Sequence, residues 1–240
     1  MKIGYWISKI NYFYHLLRFD KYRSFRKEII HLKQDVKYKS KSFDYGEGFF
    51  YQSVPEINLM GLRDTKKRIN QLNIFELLKE KSVLDIGSNM GSILIGLSPY
   101  FKKGIGIEYS EECVNIGNKI INKLGKKNIN LILGDFNNYE FNEKFDFVFS
   151  LANHSTADGG IKDTKKYFQK AISLLNEGGI IVVESHAALY EKEVEFENHI
   201  NENFNNKFKI LSNGKYRFGN FYDLNRSYYI MKLINKKFND

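Results

Sequence analysis

One cysteine, one tryptophan, two prolines and no long apolar run are what this 240-residue chain has least of. The lone thiol, Cys113, excludes a disulfide framework and a zinc site built on cysteines, and it fits a reducing, intracellular setting. No apolar stretch approaches the roughly 18 residues of a membrane span. The opening MKIGYWISKINYFYHLLRFD is too interrupted by polar and charged groups to read as a signal peptide, so a cytoplasmic protein is expected. Disorder throughout is excluded as well, because 42% of the residues are hydrophobic and 15% aromatic. At about 150 residues per domain, the length allows one large domain or one domain with an appendage.

Negative charge is scarce at one end. Residues 1–45 hold 11 Lys and Arg against 4 Asp and Glu, a net +7 of the chain's +9, which leaves +2 for the other 195 residues. An acidic partner is therefore expected at residues 1–45 and not over the whole surface. Residues 1–33 contain no proline and only Gly4, and Ile3, Ile7, Ile10, Tyr14 and Leu17 recur at helical spacing. Lys2, Lys9, Arg18, Lys21, Arg23, Arg26 and Lys27 lie mostly off that stripe. The segment reads as one or two basic amphipathic helices. Packing on the main domain with a solvated basic face is the simplest role. Docking of residues 1–33 on an anionic membrane surface is the second, and nucleic-acid binding the third.

Residues 46–240 read as one domain. After a polar connector, Ile69, Leu72, Phe75 and Leu78 fall at helical intervals behind Asp64, a good cap. From residue 82 the texture changes to short apolar runs bounded by glycine, alternating with helical patterns. Strands are expected at 82–86, 104–108, 129–133, 145–150, 179–185, 207–211 and 227–234, and helices at about 92–101, 111–124, 164–175 and 191–204. Strands apolar throughout, each followed by a helix, indicate a parallel sheet covered on both faces.

The sharpest motif is VLDIGSNMGS, residues 83–92. A buried strand ends in Asp85, a turn carries Gly87, Ser88 and Asn89, and Gly91 opens a helix. In a doubly wound sheet such a turn lies at the ligand crevice. A dinucleotide loop wants glycine where this chain has Asn89, so the turn is a poor pyrophosphate cradle. Glu108 closes the second strand 23 residues after Asp85, where a carboxylate can accept both ribose hydroxyls, with Tyr109 beside it. Asp135 and Phe136 close the third, where a carboxylate or its neighbouring amide can meet an adenine amino group and an aromatic ring can lie against the base. Three acids at three successive strand ends suit an adenosine ligand with a cationic centre and repel a string of phosphates.

In this order and spacing, D-I-G-S-N-M-G, G-I-E-Y-S, G-D-F, F-D-F-V-F-S and L-L-N-E-G-G-I-I-V-V-E-S resemble the class I S-adenosylmethionine-dependent methyltransferases over roughly residues 50–235. The resemblance implies an α/β, Rossmann-like fold with a seven-stranded, mostly parallel sheet in the order 3-2-1-4-5-7-6 and helices on both faces, to which the N-terminal helical arm is added. SYYIMKLI would be the antiparallel last strand. It implies S-adenosylmethionine as cofactor, with Asp85 and the Gly87 to Gly91 turn at its methionine end, Glu108 on the ribose, and Asp135 with Phe136 on adenine. By the same resemblance Tyr51 and Gln52 close over the methionine moiety and Arg63 pairs with its carboxylate; a surface helix with solvated Arg63, Lys66, Lys67 and Arg68 is the competing view.

Methyl transfer from a sulfonium mainly needs the nucleophile aligned, with a base if a proton must leave. Asn153 and His154, in SLANHSTADGG after the fourth strand, and His186, in VVESHAAL after the fifth, sit at strand ends facing the crevice and are the expected catalytic residues, with Asp158 able to orient His154 and Glu184 able to reach the acceptor. If the acceptor is an anion, the two imidazoles would instead bind it as donors. Asp158 and Glu184 are too few carboxylates for a metal site. The pattern Y-Q-S, G-x-R-x-T-x-x-R, A-N-H and E-S-H looks like methyltransferases of bacterial surface-polysaccharide pathways, which implies a small-molecule or glycan acceptor, a sugar hydroxyl or a phosphate-bearing saccharide. An RNA methyltransferase using the basic arm is the alternative, although no N-P-P-Y-type stacking residues follow the fourth strand; a non-catalytic scaffold subunit is a third. The oligomeric state is left open.

Overall fold

The computed structural model describes residues 10, 13–15, 17–34, 50–151, 164–185, 193–204, 206–216 and 226–234. Its centre is a seven-stranded sheet formed by β1 (Ser82–Ile86), β2 (Lys103–Glu108), β3 (Ile129–Leu133), β4 (Phe145–Leu151), β5 (Leu175–Glu184), β6 (Phe208–Lys215) and β7 (Ser227–Leu233). The spatial order is β3-β2-β1-β4-β5-β7-β6, with β7 antiparallel to both neighbours and the remaining pairs parallel. This is the order the sequence resemblance implies.

Alternation along the central strands builds two cores. Val83, Phe147, Phe149, Val182 and Ile230 face α1 (Arg23–Gln34), α2 (Thr65–Leu72), α3 (Ser92–Leu97) and α4 (Glu111–Lys123), whose apolar residues complete one cluster. Leu84, Ile107, Val148, Ile181 and Met231 face the other way, toward α5 (Thr164–Ser173) and α6 (Glu193–Phe204). By the same period of two, Asp85, Glu108 and Glu184 all belong to the face that α1 to α4 cover. The crossover between β1 and β4 is where the chain reverses its direction of winding, and the ends of these strands meet there.

Four boundaries differ from the sequence reading by more than two residues. The helix that Asp64 caps ends at Leu72, where Asn73 turns left-handed at φ 48°, so Phe75 and Leu78 lie beyond it. Helix α3 stops at Leu97 instead of continuing to residue 101, because Pro99 has no amide hydrogen to donate to the Ile95 carbonyl. Strand β5 starts at Leu175, ahead of Gly178 and Gly179, with a register shift between Phe145 and Phe147 that absorbs the extra residues. Strand β6 runs through Ser212, Asn213 and Gly214 to Lys215, since that stretch pairs with β7 and does not turn back.

The basic arm packs onto the domain where it is described. Ile29 and Ile30 of α1 lie inside the first core cluster. Arg26, fully buried, donates to Asp20 at 2.7 Å and to the Ile57 carbonyl at 3.0 Å. His15 accepts from the Met60 amide at 2.7 Å, and burial with Arg26 nearby lowers its pKa to about 4, which keeps it neutral and able to accept. Among the described residues, no helix is long and apolar enough to cross a membrane.

Candidate ligand site at the strand ends

The turn after β1 is shaped by three positive-φ residues in five: Gly87 at 65°, Asn89 at 53° and Gly91 at 71°. The Gly87 and Ser88 amides donate to the Ile107 carbonyl, which ties the turn to β2. Asn89 satisfies its strained backbone through its own side chain, Oδ1 accepting from the Met90 amide at 2.9 Å. The Glu108 carboxylate then fixes the loop from the opposite side. Oε2 accepts from the Asn89 amide at 2.9 Å and Oε1 from the Ser110 amide at 3.0 Å, so the sequence-expected ribose ligand is buried and oriented. Two glycines outside the motif permit this approach: a Cβ on Gly106 would come within 2.6 Å of Ser88 Oγ, and one on Gly117 within 2.7 Å of the Met90 carbonyl. Sequence reasoning gave neither a role: Gly106 opens the G-I-E-Y-S motif but was not singled out, and Gly117 lies in no motif.

Asp85 is buried between Glu108 and Arg68. Desolvation, reinforced by Glu108 and opposed by Arg68, pushes its carboxyl up to about 7. A raised carboxyl pKa means the folded state holds a proton that the unfolded state has already lost between about pH 4 and 7. Asp85 therefore favours the fold least above pH 7. Asp85→Asn is expected to gain stability relative to the parent chain at pH 8 and to lose most of that advantage at pH 5; urea titrations at both values check it, and equal differences at both would refute the shift.

Upstream, the pattern Y-Q-S, G-x-R-x-T-x-x-R becomes one local structure. Thr65 donates twice to Ser53, from its N–H to Ser53 Oγ at 3.0 Å and from its Oγ1–H to the Ser53 carbonyl at 2.6 Å. The Arg63 amide donates to the Tyr51 carbonyl, and a Cβ on Gly61 would strike the Gln52 backbone at 2.3 Å. Asp64 caps α2 by accepting from the Lys67 amide at 3.0 Å. Gln52 and Arg63 are both buried, so the view of Arg63 as a solvated surface residue is corrected.

Arg68 corrects the same view more sharply. It occupies the buried side of α2 with Thr65, Ile69 and Leu72, and both it and Glu184 have side chains only 1% exposed. Arg68 Nε and Nη2 donate to Glu184 Oε2, the first at 2.8 Å, and Arg226 Nη1 donates to Oε1 at 3.0 Å. The two guanidinium groups hold the Glu184 carboxyl below the usual range despite its burial. Glu184 is therefore committed to a buried ion network and is not the acceptor ligand the sequence suggested. Position was the available signal, since residues 65, 68, 69 and 72 share a helix face.

The remaining expected residues divide in two. Asp135 is exposed, its carboxylate accepting from the Asn137 amide at 2.9 Å and from Asn138 Nδ2 at 2.6 Å, and Tyr109 is exposed beside Glu108. Phe136 is buried, with Tyr167 at 5.2 Å and Lys170 Nζ at 5.2 Å from its ring, so its side chain belongs to the second core. Asn153, His154, Asp158 and His186 lie outside the described residues. Among the described residues no cluster of His, Cys, Asp and Glu could hold a metal ion.

A family model described as a methyltransferase domain matches residues 77–232. An uncharacterized methyltransferase, YcgJ of Bacillus subtilis (strain 168), is 26% identical over 126 residues, 51% of this chain and 47% of that protein, so the match spans about half of its length. Among solved structures, an S-adenosylmethionine-dependent methyltransferase from Clostridium acetobutylicum ATCC 824 superposes with a TM-score of 0.58 at 18% identity, over 72% of this chain and 94% of that one. The N-methyltransferase NodS from Bradyrhizobium japonicum WM9, in complex with S-adenosyl-l-homocysteine, does so with 0.57 at 14% identity, over 70% and 86%. At these identities the structures are alike in fold.

Proposed function

The chain belongs to the methyltransferase domain family, and from that membership we propose that it is an S-adenosylmethionine-dependent methyltransferase acting on a small molecule or glycan, at a hydroxyl or phosphate oxygen. The observation that carries this reading is the Glu108 carboxylate, held by two amides against a turn of positive-φ residues with Asp85 on the same face of the sheet. The donor supplies a methyl group activated on a sulfonium. Glu108 would accept the two ribose hydroxyls, and Asp85 would face the cationic end. The buried Gln52 Oε1 has no hydrogen-bond partner among the described residues, so an acceptor atom is available to an ammonium group. Asp135, with the Phe136 backbone, would meet the adenine, and Tyr51, Ser88, Asn89, Gly91 and Tyr109 would line the donor. Arg63, from its buried position, would pair with the donor carboxylate. His154, His186 and Asn153 are proposed to position or deprotonate the acceptor.

The test is binding followed by transfer. Calorimetry should show S-adenosylmethionine binding, and a radiolabelled methyl group should pass from it into a glycan or small-molecule fraction of an extract. Label found only in RNA would favour the alternative acceptor; no binding at all would remove the enzyme reading.

A second observation favours contact with an anionic lipid surface through the arm. Ile10, Phe13 and Leu17, spaced for one helix face, are each more than half exposed, as is Phe19. Arg23 stacks over Phe19 at 4.0 Å and Lys21 over Tyr22 at 5.0 Å, so cations rim the apolar patch. Removing residues 1–33 would tear Arg26, Ile29 and Ile30 from the core, and point substitutions are the cleaner probe. A Phe13→Glu, Leu17→Glu variant is expected to lose at least tenfold in sedimentation with phosphatidylglycerol vesicles while keeping its melting temperature. Undiminished sedimentation would leave the arm as packing alone.

A further inference from the structure

The arm grips one loop of the domain at three points. Residues 50–65 fold back on themselves: Val54 and Leu59 exchange amide-to-carbonyl bonds at 2.8 and 3.0 Å, and the chain returns beside its own start, the Leu62 amide donating to the Phe50 carbonyl at 2.9 Å. One end of this loop carries the buried Gln52 and Arg63. The other end is held from outside. Arg26 Nη1 donates to the Ile57 carbonyl at 3.0 Å, Asn58 Nδ2 to Asp20 Oδ2 at 3.1 Å and the Met60 amide to His15 Nε2 at 2.7 Å. Asp20 is the hub, since it also accepts from Arg26 Nη1 at 2.7 Å and from the Tyr22 amide at 2.8 Å. Charge-assisted bonds of a fully buried guanidinium fix position as well as adding energy.

Helix α1 also reaches α4. Lys33 Nζ lies 3.5 Å from Glu112 and Lys119 Nζ 2.7 Å from Glu28, and α4 begins behind Glu108 with Ser110 as its cap. The loop itself rests on α3, the helix that the donor turn opens, where Glu56 Oε1 would stand 3.8 Å from a Cβ on Gly96. The arm thus joins the segment bearing Gln52 to the helix that follows Glu108. Ile29 and Ile30 anchor α1 in the core, so the clasp of Asp20, Arg26 and Asn58 transmits a fixed position to the loop. We propose that these three are positioning residues for the donor: the clasp presets the 50–65 loop so that Gln52 meets the donor ammonium, and donor binding in turn tightens the arm on the domain. The inference rests on the methyltransferase reading and adds to it a coupling that runs equally in both directions.

S-adenosylhomocysteine is the probe, with the full chain held well below its melting temperature. In the parent chain it should slow hydrogen exchange at the Met60 amide, which bonds His15, about tenfold beyond the slowing at the Lys102 amide, which bonds Lys81 at the opposite ends of the strands. A clasp that served stability alone would leave the two amides alike. Asn58→Asp tolerates the left-handed backbone, φ 53°, and sets a second carboxylate against Asp20. By calorimetry it should weaken S-adenosylhomocysteine about tenfold, and adding Asp20→Asn, which restores a donor opposite the new acid, should recover most of that loss. Asn58→Gly keeps the backbone, removes the bond without repulsion and should lose about threefold, which carries the test if the charged variant does not fold. Unchanged affinity in a folded Asn58 variant, no recovery in the double variant, or equal slowing at Met60 and Lys102 would each overturn the coupling while leaving donor binding intact. A parent chain that fails to bind S-adenosylhomocysteine overturns the enzyme reading and this inference together.

Discussion

Arg68→Ala is expected to cost about 3–5 kcal/mol of folding stability, because it leaves the buried Glu184 carboxylate with one partner in place of two and opens a cavity under α2. Against a total of about 5–15 kcal/mol for an ordinary domain, that is about a fifth of the stability or more. In melting temperature it amounts to about 6–20 °C at this chain length. Urea denaturation measures it, with Lys66→Ala as the control two residues away. Lys66 is exposed, so its removal should change stability by no more than about 0.5 kcal/mol. If the two variants melt alike, the ion network contributes little and the corrected reading of α2 fails.

Glu108→Ala is expected to weaken donor binding about 100-fold, near 3 kcal/mol, through two losses that reinforce each other. The carboxylate that would accept the ribose hydroxyls is gone, and the Asn89 and Ser110 amides lose the group that fixes the turn. Asp135→Ala should cost less, about tenfold, since Asp135 is exposed and already accepts from its own loop. Calorimetry with S-adenosylhomocysteine separates the cases. A Glu108→Ala, Asp135→Ala double variant that still binds like the parent would remove the donor site from these strand ends.

The contrast between Glu108 and Glu184 shows how far the sequence could be read. Both are acids at the end of an apolar strand, and on that pattern alone both look like ligands. Glu108 meets backbone amides two residues ahead and in the neighbouring turn, contacts that follow from the motif. Glu184 meets Arg68, 116 residues earlier, and Arg226, 42 residues later, contacts that only the folded sheet order brings about. Arg68 was hidden because it follows Lys66 and Lys67, a run that looks solvated until the helix face is counted. The sheet itself was legible because the apolar runs of β1, β2, β3 and β5 ended in glycine or an acid. Its misplaced edges fell where a proline, a bulge or a neighbouring strand overrode local preference, at Pro99, Gly178 and Ser212.

The spread of that ion network along the chain has a consequence for biosynthesis. At a synthesis rate of about 5–20 residues per second, Glu184 leaves the ribosome roughly 10 s after Arg68, and Arg226 several seconds later still. Until Glu184 is made, Arg68 lacks its ion-pair partner and has only the Asp85 carboxyl near it, so burying α2 against the sheet is less favourable. Packing of α2 against the sheet is therefore expected to be completed only after Glu184 has been made.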